Sequence, residues 1–245
     1  MTIPTTTVIA PRLDFQPGES PFQEDYLPES DGRPMAETDR HRKLMISLLH
    51  ALMERFRKRA DVYVSGNIFI YYFDESGALQ SVSPDIFVVF GAPKKDRRVY
   101  NLKYEGKAPG VVIELTSTST KIEDLVSKHY IYAKLGVREY FLFDPHSEAI
   151  QPMLRGFRLE GGEYLPMSGN RIHSEVLELD LVTEAGELRL YDPLTGERLL
   201  TPEEAEVERR AEKAARLAAE ARAANQEAEN ARLRDELAKL QAQKS

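Results

Sequence analysis

Two apolar runs of this chain each carry one acidic residue, and a lysine follows soon after. Asp85 opens Ile86-Phe87-Val88-Val89-Phe90, and Glu114 sits inside Val111-Val112-Ile113-Glu114-Leu115-Thr116. A bare carboxylate in such a run is costly to desolvate and needs a partner. Two carboxylates converging on one point repel unless a cation lies between them. Hard divalent cations take carboxylate, carbonyl and water oxygens. Asp85 and Glu114 are therefore the expected carboxylate ligands, and the Leu115 carbonyl a neutral one. Lys128 would add a cation that orients water or steadies charge on a phosphate. These are the parts of metal-assisted phosphodiester cleavage, with Mg²⁺ the expected cofactor and Mn²⁺ its substitute.

Elements must bring these residues together. Met45, Leu48, Leu49, Leu52, Met53 and Phe56 recur at helical spacing, with Thr38 or Asp39 as the cap. Val62 to Phe73 reads as a strand, followed by a hairpin turn at Asp74-Glu75-Ser76-Gly77. Gln80 to Phe90 and Gly110 to Thr116 are the two acid-bearing strands. Ser117 to Thr120 offer caps for a helix that runs to Leu135 and stops at Gly136, a fitting left-handed terminator. Val137 to Phe143 is a buried strand ended by an Asp144-Pro145 turn, and shorter strands continue to Leu190. The order helix, three strands, helix, strand predicts a mixed α/β sheet flanked by helices.

Several of these residues carry a plainer reading beside the chemical one. Asp85 could start a strand through an Asx-type turn, and Lys128 with Asp124 could be an exposed helix pair. Glu37 could simply favour a helix N-terminus. His41 could be a ligand or base, but a helix-surface histidine is the expectation. Ser117 and Thr118 are expected to cap the helix.

The 245 residues hold one good-sized domain with an appendage. Residues 1–34 are rich in Pro, Thr, Ser, Asp and Glu and read as largely irregular; residues 35–200 form the domain. From Thr201 the composition turns to Ala, Glu, Arg, Lys, Leu and Gln, giving a long charged helix over 201–245. Leu233, Leu237 and Leu240 follow coiled-coil spacing with Asn230 in register, so a homodimer through this helix is one expectation and a single exposed helix the other. Cysteine is absent, which excludes disulfides and thiolate metal sites. No run is long and apolar enough to cross a bilayer, no signal-peptide pattern opens the chain, and a cytoplasmic location is expected. The net charge of −7 argues against bulk attraction to nucleic acid. A local patch of Lys94, Lys95, Arg97, Arg98, Lys103 and Lys107 could supply it, or could be a solvated loop.

Taken in order, Pro84-Asp85, Glu114-Leu115-Thr116-Ser117-Thr118-Ser119-Thr120, Asp124 to Lys128 to Tyr132, Gly136-Val137-Arg138-Glu139-Tyr140 and Asp144-Pro145 resemble the Uma-two family of restriction endonucleases. That family belongs to the PD-(D/E)XK nuclease-like group. Asp31-Gly32, Pro34 to Thr38, His41 and Gly66 to Tyr72 agree, and the resemblance spans Tyr26 to Leu181. It implies a restriction-endonuclease-like core, DNA as partner, and Asp85, Glu114, Lys128 and Glu37 as catalytic residues. The usual lysine two positions after the glutamate is replaced by Thr116, and the helix residue Lys128 takes its role. Two other classes stay open: a catalytically silent DNA-binding or mobile-element-associated protein of the same fold, and an interaction protein working through its C-terminal helix.

Overall fold

The structure, a computed structural model, describes residues 27–29, 38–118, 120 and 122–242. It opens with helix α1 (Asp39–Arg55), then strands β1 (Val62–Ser65), β2 (Ile70–Phe73), β3 (Leu79–Val82), β4 (Ile86–Phe90) and β5 (Tyr100–Asn101). A one-turn helix α2 (Leu102–Glu105) leads to β6 (Val111–Leu115). A π-helical turn (Glu123–Lys128) runs into helix α3 (His129–Leu135), and β7 (Glu139–Phe143) follows. The rest is β8 (Leu154–Glu160), β9 (Glu163–Met167), β10 (Arg171–Ser174), β11 (Leu179–Glu184), β12 (Glu187–Tyr191) and helix α4 (Pro202–Ala242). The chain divides into two compact units, one ending at Leu199 and the other starting at Leu200.

Six strands form the main sheet in the order β1-β4-β6-β7-β8-β9. Every neighbouring pair is antiparallel except β6 and β7, which are parallel and joined through the π turn and α3. Strands β4, β6 and β7 are nearly continuous apolar runs because both faces of the sheet are covered. On one face Val62, Val64, Ile86, Val88, Val111, Ile113, Phe141 and Phe143 pack with α1 and the β10-β11-β12 sheet. On the other, Tyr63, Phe87, Val89, Val112, Tyr140 and Leu142 pack with Tyr132 of α3 and with Ile70, Val82 and Tyr100 of the β3-β2-β5 sheet. Within the main sheet the predicted succession of helix, three strands, helix and strand is α1, β1, β4, β6, α3 and β7. Thr38 caps α1 by accepting from the His41 N–H at 3.2 Å, and Gly136 ends α3 at φ 77°.

One expectation needs correction. The predicted strands Val62–Phe73 and Gln80–Phe90 are each two strands, split between the main sheet and a smaller one. Val62 faces Phe90 and Ser65 faces Phe87 in the first, while Ile70 faces Val82 and Phe73 faces Leu79 in the second. The register is the same on both sides, so this is one long hairpin that changes sheet midway. The two arms touch at the crossing: a Cβ on Gly66 would stand 2.0 Å from the Asp85 carbonyl oxygen. Asn67 there adopts φ 52°, and Pro84 brings no N–H to a ladder. Gly66, Asn67 and Pro84 were the punctuation inside two otherwise strand-like runs.

The expected turn after β7 is built around a wholly buried Asp144. Its Oδ1 accepts from the His146 N–H at 3.0 Å, and its Oδ2 from the N–H groups of Ala149 and Ile150. Asp144→Ala leaves those donors without their acceptor and is expected to cost about 3 kcal/mol. Urea unfolding measures this; a loss below about 1 kcal/mol would mean that other contacts hold the turn.

Candidate active site

Strands β4 and β6 pair with Ile86 opposite Ile113, so the next position along sets Asp85 opposite Glu114. The two acids are joined through the backbone as well. The Asp85 N–H donates to Glu114 Oε2 at 3.3 Å, and the Leu115 N–H donates to Asp85 Oδ2 at 2.7 Å. Glu114 is 1% exposed and points to the sheet face covered by α3. The Tyr132 hydroxyl donates to its Oε1 at 2.6 Å, and Lys128 Nζ lies 3.0 Å from its Oε2. Asp124 Oδ1 lies 3.3 Å from the same Nζ, and His41 Nε2 lies 3.5 Å from Asp85 Oδ1.

Local folding places the lysine. After β6 the chain turns through Ser117, whose N–H donates to Thr120 Oγ1 at 3.0 Å. The Asp124 N–H then reaches the Thr120 carbonyl at 2.9 Å and begins the helix. The first stretch is π-helical, a form that occurs mostly as single turns and often at functional sites. Tyr140 from β7 donates to the Asp124 carbonyl at 2.9 Å and pins this turn to the sheet. Ile122, the residue before the π-helical stretch, supplies no side-chain cap. The Thr120 hydroxyl is spent within the preceding turn, and the helix starts from its carbonyl instead.

Charge in this pocket is unevenly held. Burial alone would raise the Asp85 carboxyl, but the neighbouring His41 imidazole, the charge of Lys128 and the Leu115 N–H hold it below the ordinary carboxylate range. For Glu114 burial wins, with repulsion from Asp85 and Asp124 added, and its carboxyl is pushed well above the usual range despite Lys128 and Tyr132. Burial disfavours the Lys128 ammonium, yet Glu114, Asp124 and Asp85 together overcome that and raise it. The surrounding carboxylates thus favour the charged form of Lys128.

These donors suit a hard cation of modest demands. Among the described residues no group of three or more His, Asp or Glu side chains forms a ready metal cage. Mg²⁺ is commonly held by one or two carboxylates, with water and substrate phosphate completing its shell. Asp85 and Glu114, adjacent and oxygen-bearing, fit that pattern, with the Leu115 backbone alongside. Glu37 lies outside the described residues.

One expectation and one plainer reading change here. His41 is no surface histidine; it is 16% exposed and faces Asp85. Its signal was present, since His41, Leu44, Leu48 and Ala51 share one helical stripe of which the last three are buried. Asp124 and Lys128 are no exposed helix pair, with side chains 3% and 14% exposed. The Lys94 to Lys107 cluster is mostly consumed by the fold. Arg97 is held by both oxygens of Glu105 at 2.7 and 2.9 Å and lies 4.1 Å over the Tyr63 ring. Lys94 donates to the carbonyls of Phe56 and Arg57, Lys95 pairs with Glu105 and Arg98 with Glu29. The segment is a loop, and Lys94, Lys95 and Arg98 stay exposed on it. Another buried acid escaped sequence reading: Glu139 accepts from the Ser174 hydroxyl, the Glu175 N–H and Arg158, and ties β7 to the end of β10.

Among solved structures, one described as a "putative nuclease belonging to DUF820" from Anabaena variabilis ATCC 29413 is similar, at 16% identity and a TM-score of 0.44, covering 63% of this chain and 88% of that one. No curated protein gives a significant match. No described helix is long and apolar enough to cross a membrane. The Uma2 family profile, which bears the description "Putative restriction endonuclease", matches residues 27–189, and with well over half of its length inside that match this chain belongs to the Uma2 family.

Proposed function

We propose that this protein is a Mg²⁺-dependent endonuclease that hydrolyses phosphodiester bonds in DNA. The observation that carries the reading is the unbroken contact chain from Asp85 through Glu114 to Lys128, drawn from two strands and one helix. Asp85 and Glu114 would hold the cation, which supplies Lewis-acid polarisation of the phosphoryl group and acidifies water. Asp85 is kept ionised and ready to bind by His41 and the Leu115 N–H. Tyr132 fixes the Glu114 carboxylate from the side away from Lys128. Lys128, charged and aimed into the same pocket, offsets negative charge that grows on the phosphate as the bond breaks. Cutting both strands of a duplex needs two such sites, which two copies paired through the C-terminal helix would supply.

Calorimetric titration of Mg²⁺ or Mn²⁺, with plasmid nicking beside it, tests the reading. The wild type is expected to bind and to nick, and the Asp85→Ala, Glu114→Ala double variant to do neither while staying folded. A folded wild type that binds no divalent cation, with or without DNA, would rule the proposal out.

A further inference from the structure

Both oxygens of Glu114 are already taken, Oε1 by the Tyr132 hydroxyl and Oε2 by Lys128. Oε2 also accepts from the Asp85 N–H. A ligand oxygen that carries an ammonium cannot give full strength to a second cation, because the two positive charges repel. Lys128 must therefore leave Glu114 when Glu114 becomes a ligand, and it must remain nearby to act on a phosphate. Within the pocket one acceptor stands ready. Asp124 is 2% exposed, and its Oδ1 has no hydrogen-bond donor although Lys128 Nζ is 3.3 Å away. The ion pair is close but out of hydrogen-bond alignment. Such an orphaned buried oxygen calls for an explanation.

The backbone of Asp124 is fixed at both ends, by the Thr120 carbonyl below and the Tyr140 hydroxyl above. The Asp124 backbone thus stays in place, and the long, jointed lysine side chain is the part with the most freedom to move. We propose that Asp124 is a positioning residue: it receives the Lys128 ammonium from Glu114, so that Glu114 is released to bind the cation while the lysine stays beside the reacting phosphate. The inference rests on the metal reading of the site. It assigns to Asp124 a place in that chemistry without making it a ligand.

A double-variant cycle read by Mn²⁺ calorimetry separates the outcomes. Asp124→Asn, which keeps the side-chain shape, is expected to weaken Mn²⁺ binding about tenfold, the lower end of what loss of an outer-shell partner costs. In a Lys128→Gln background, where no ammonium competes for Glu114, the same change is expected to leave the affinity unmoved. A role confined to holding the helix would weaken binding in both backgrounds, and so would direct ligation; either would overturn the proposal. No effect in either background would overturn it too. A wild type that binds no Mn²⁺ would instead sink the metal reading itself and carry this inference down with it. Thermal unfolding of each variant shows whether the fold survives, and where Lys128 is retained plasmid nicking by Asp124→Asn is expected to fall with its affinity.

Discussion

Replacing Lys128 by methionine is expected to all but abolish nicking and to make the protein's stability more dependent on pH. The kinetic loss should reach about 10³-fold, the scale of removing one well-aimed electrostatic donor. The thermodynamic loss comes from the carboxylates left behind. Glu114 and Asp124 are almost wholly buried, and Lys128 is the cation in contact with both. Removing one member of a buried ion pair costs about 3 kcal/mol or more. The sign with pH follows from Glu114. Its carboxyl is already raised in the folded protein by burial and by its acidic neighbours, and losing Lys128 raises it further. A carboxyl raised on folding adds stability below its unfolded value of about 4.3 and loses it as pH climbs through the folded value. The deficit of the variant against the wild type should thus be greatest at neutral and alkaline pH and shrink in mild acid. Urea unfolding between pH 5 and pH 9, as about the useful range, would reveal it. A deficit that stays level with pH, or nicking that persists, would contradict the role given to Lys128.

Gly66→Ala should be nearly as damaging, though Gly66 touches no cation and carries no functional group. An added methyl would fall 2.0 Å from the Asp85 carbonyl oxygen and 3.0 Å from its carbon, both backbone atoms that no rotamer change can clear. One of the two hairpin arms has to give way. Overpacking of this kind costs about 3 kcal/mol at the upper end of its usual range. The displaced segment is the one that carries Asp85, and a shift of about 1 Å in a catalytic group can cost about 10²-fold in rate. Stability, cation binding and nicking should therefore fall together. Wild-type values for all three would show that the arms can separate at no cost.

How much of this was legible in the sequence varies from residue to residue. Asp85 and Glu114 stood out because an ionised group in an apolar run contradicts its surroundings, and that contradiction needs no knowledge of the fold. Lys128 was reached through the order of motifs around it; its helical spacing from Asp124 alone suggested a solvated pair. What turned that pair inward is the Tyr140 hydroxyl, which grips the Asp124 carbonyl from another strand. His41 shared a stripe with buried leucines, yet a histidine on such a stripe does not announce its partner. Glu139 carried a similar sign in the Val137–Phe143 run, but its partners lie nineteen to thirty-six residues further on, so nothing local named them. The basic cluster was visible as charge, but its carbonyl and carboxylate partners come from distant segments, so sequence could not show that it was already spent. Likewise two strand-like runs looked continuous because period and register do persist through the sheet change, and only Gly66, Asn67 and Pro84 marked it.

That persistence of register constrains how this hairpin can change in length. Each arm places residues alternately on opposite faces, so one residue added or lost anywhere between Val62 and Phe73, or between Leu79 and Phe90, would turn everything beyond it to the wrong side. Asp85 would then point away from Glu114, and the apolar residues of β4 would be forced from one core into the other. At the tip the situation is reversed: Asp74 closes the turn through its own side chain, accepting from the N–H groups of Ser76 and Ala78, and Gly77 adopts φ 79°. Extra residues inserted there would extend an exposed loop without disturbing either ladder. Insertions and deletions should therefore be confined to the five residues from Asp74 to Ala78, while the arms keep their length to the residue.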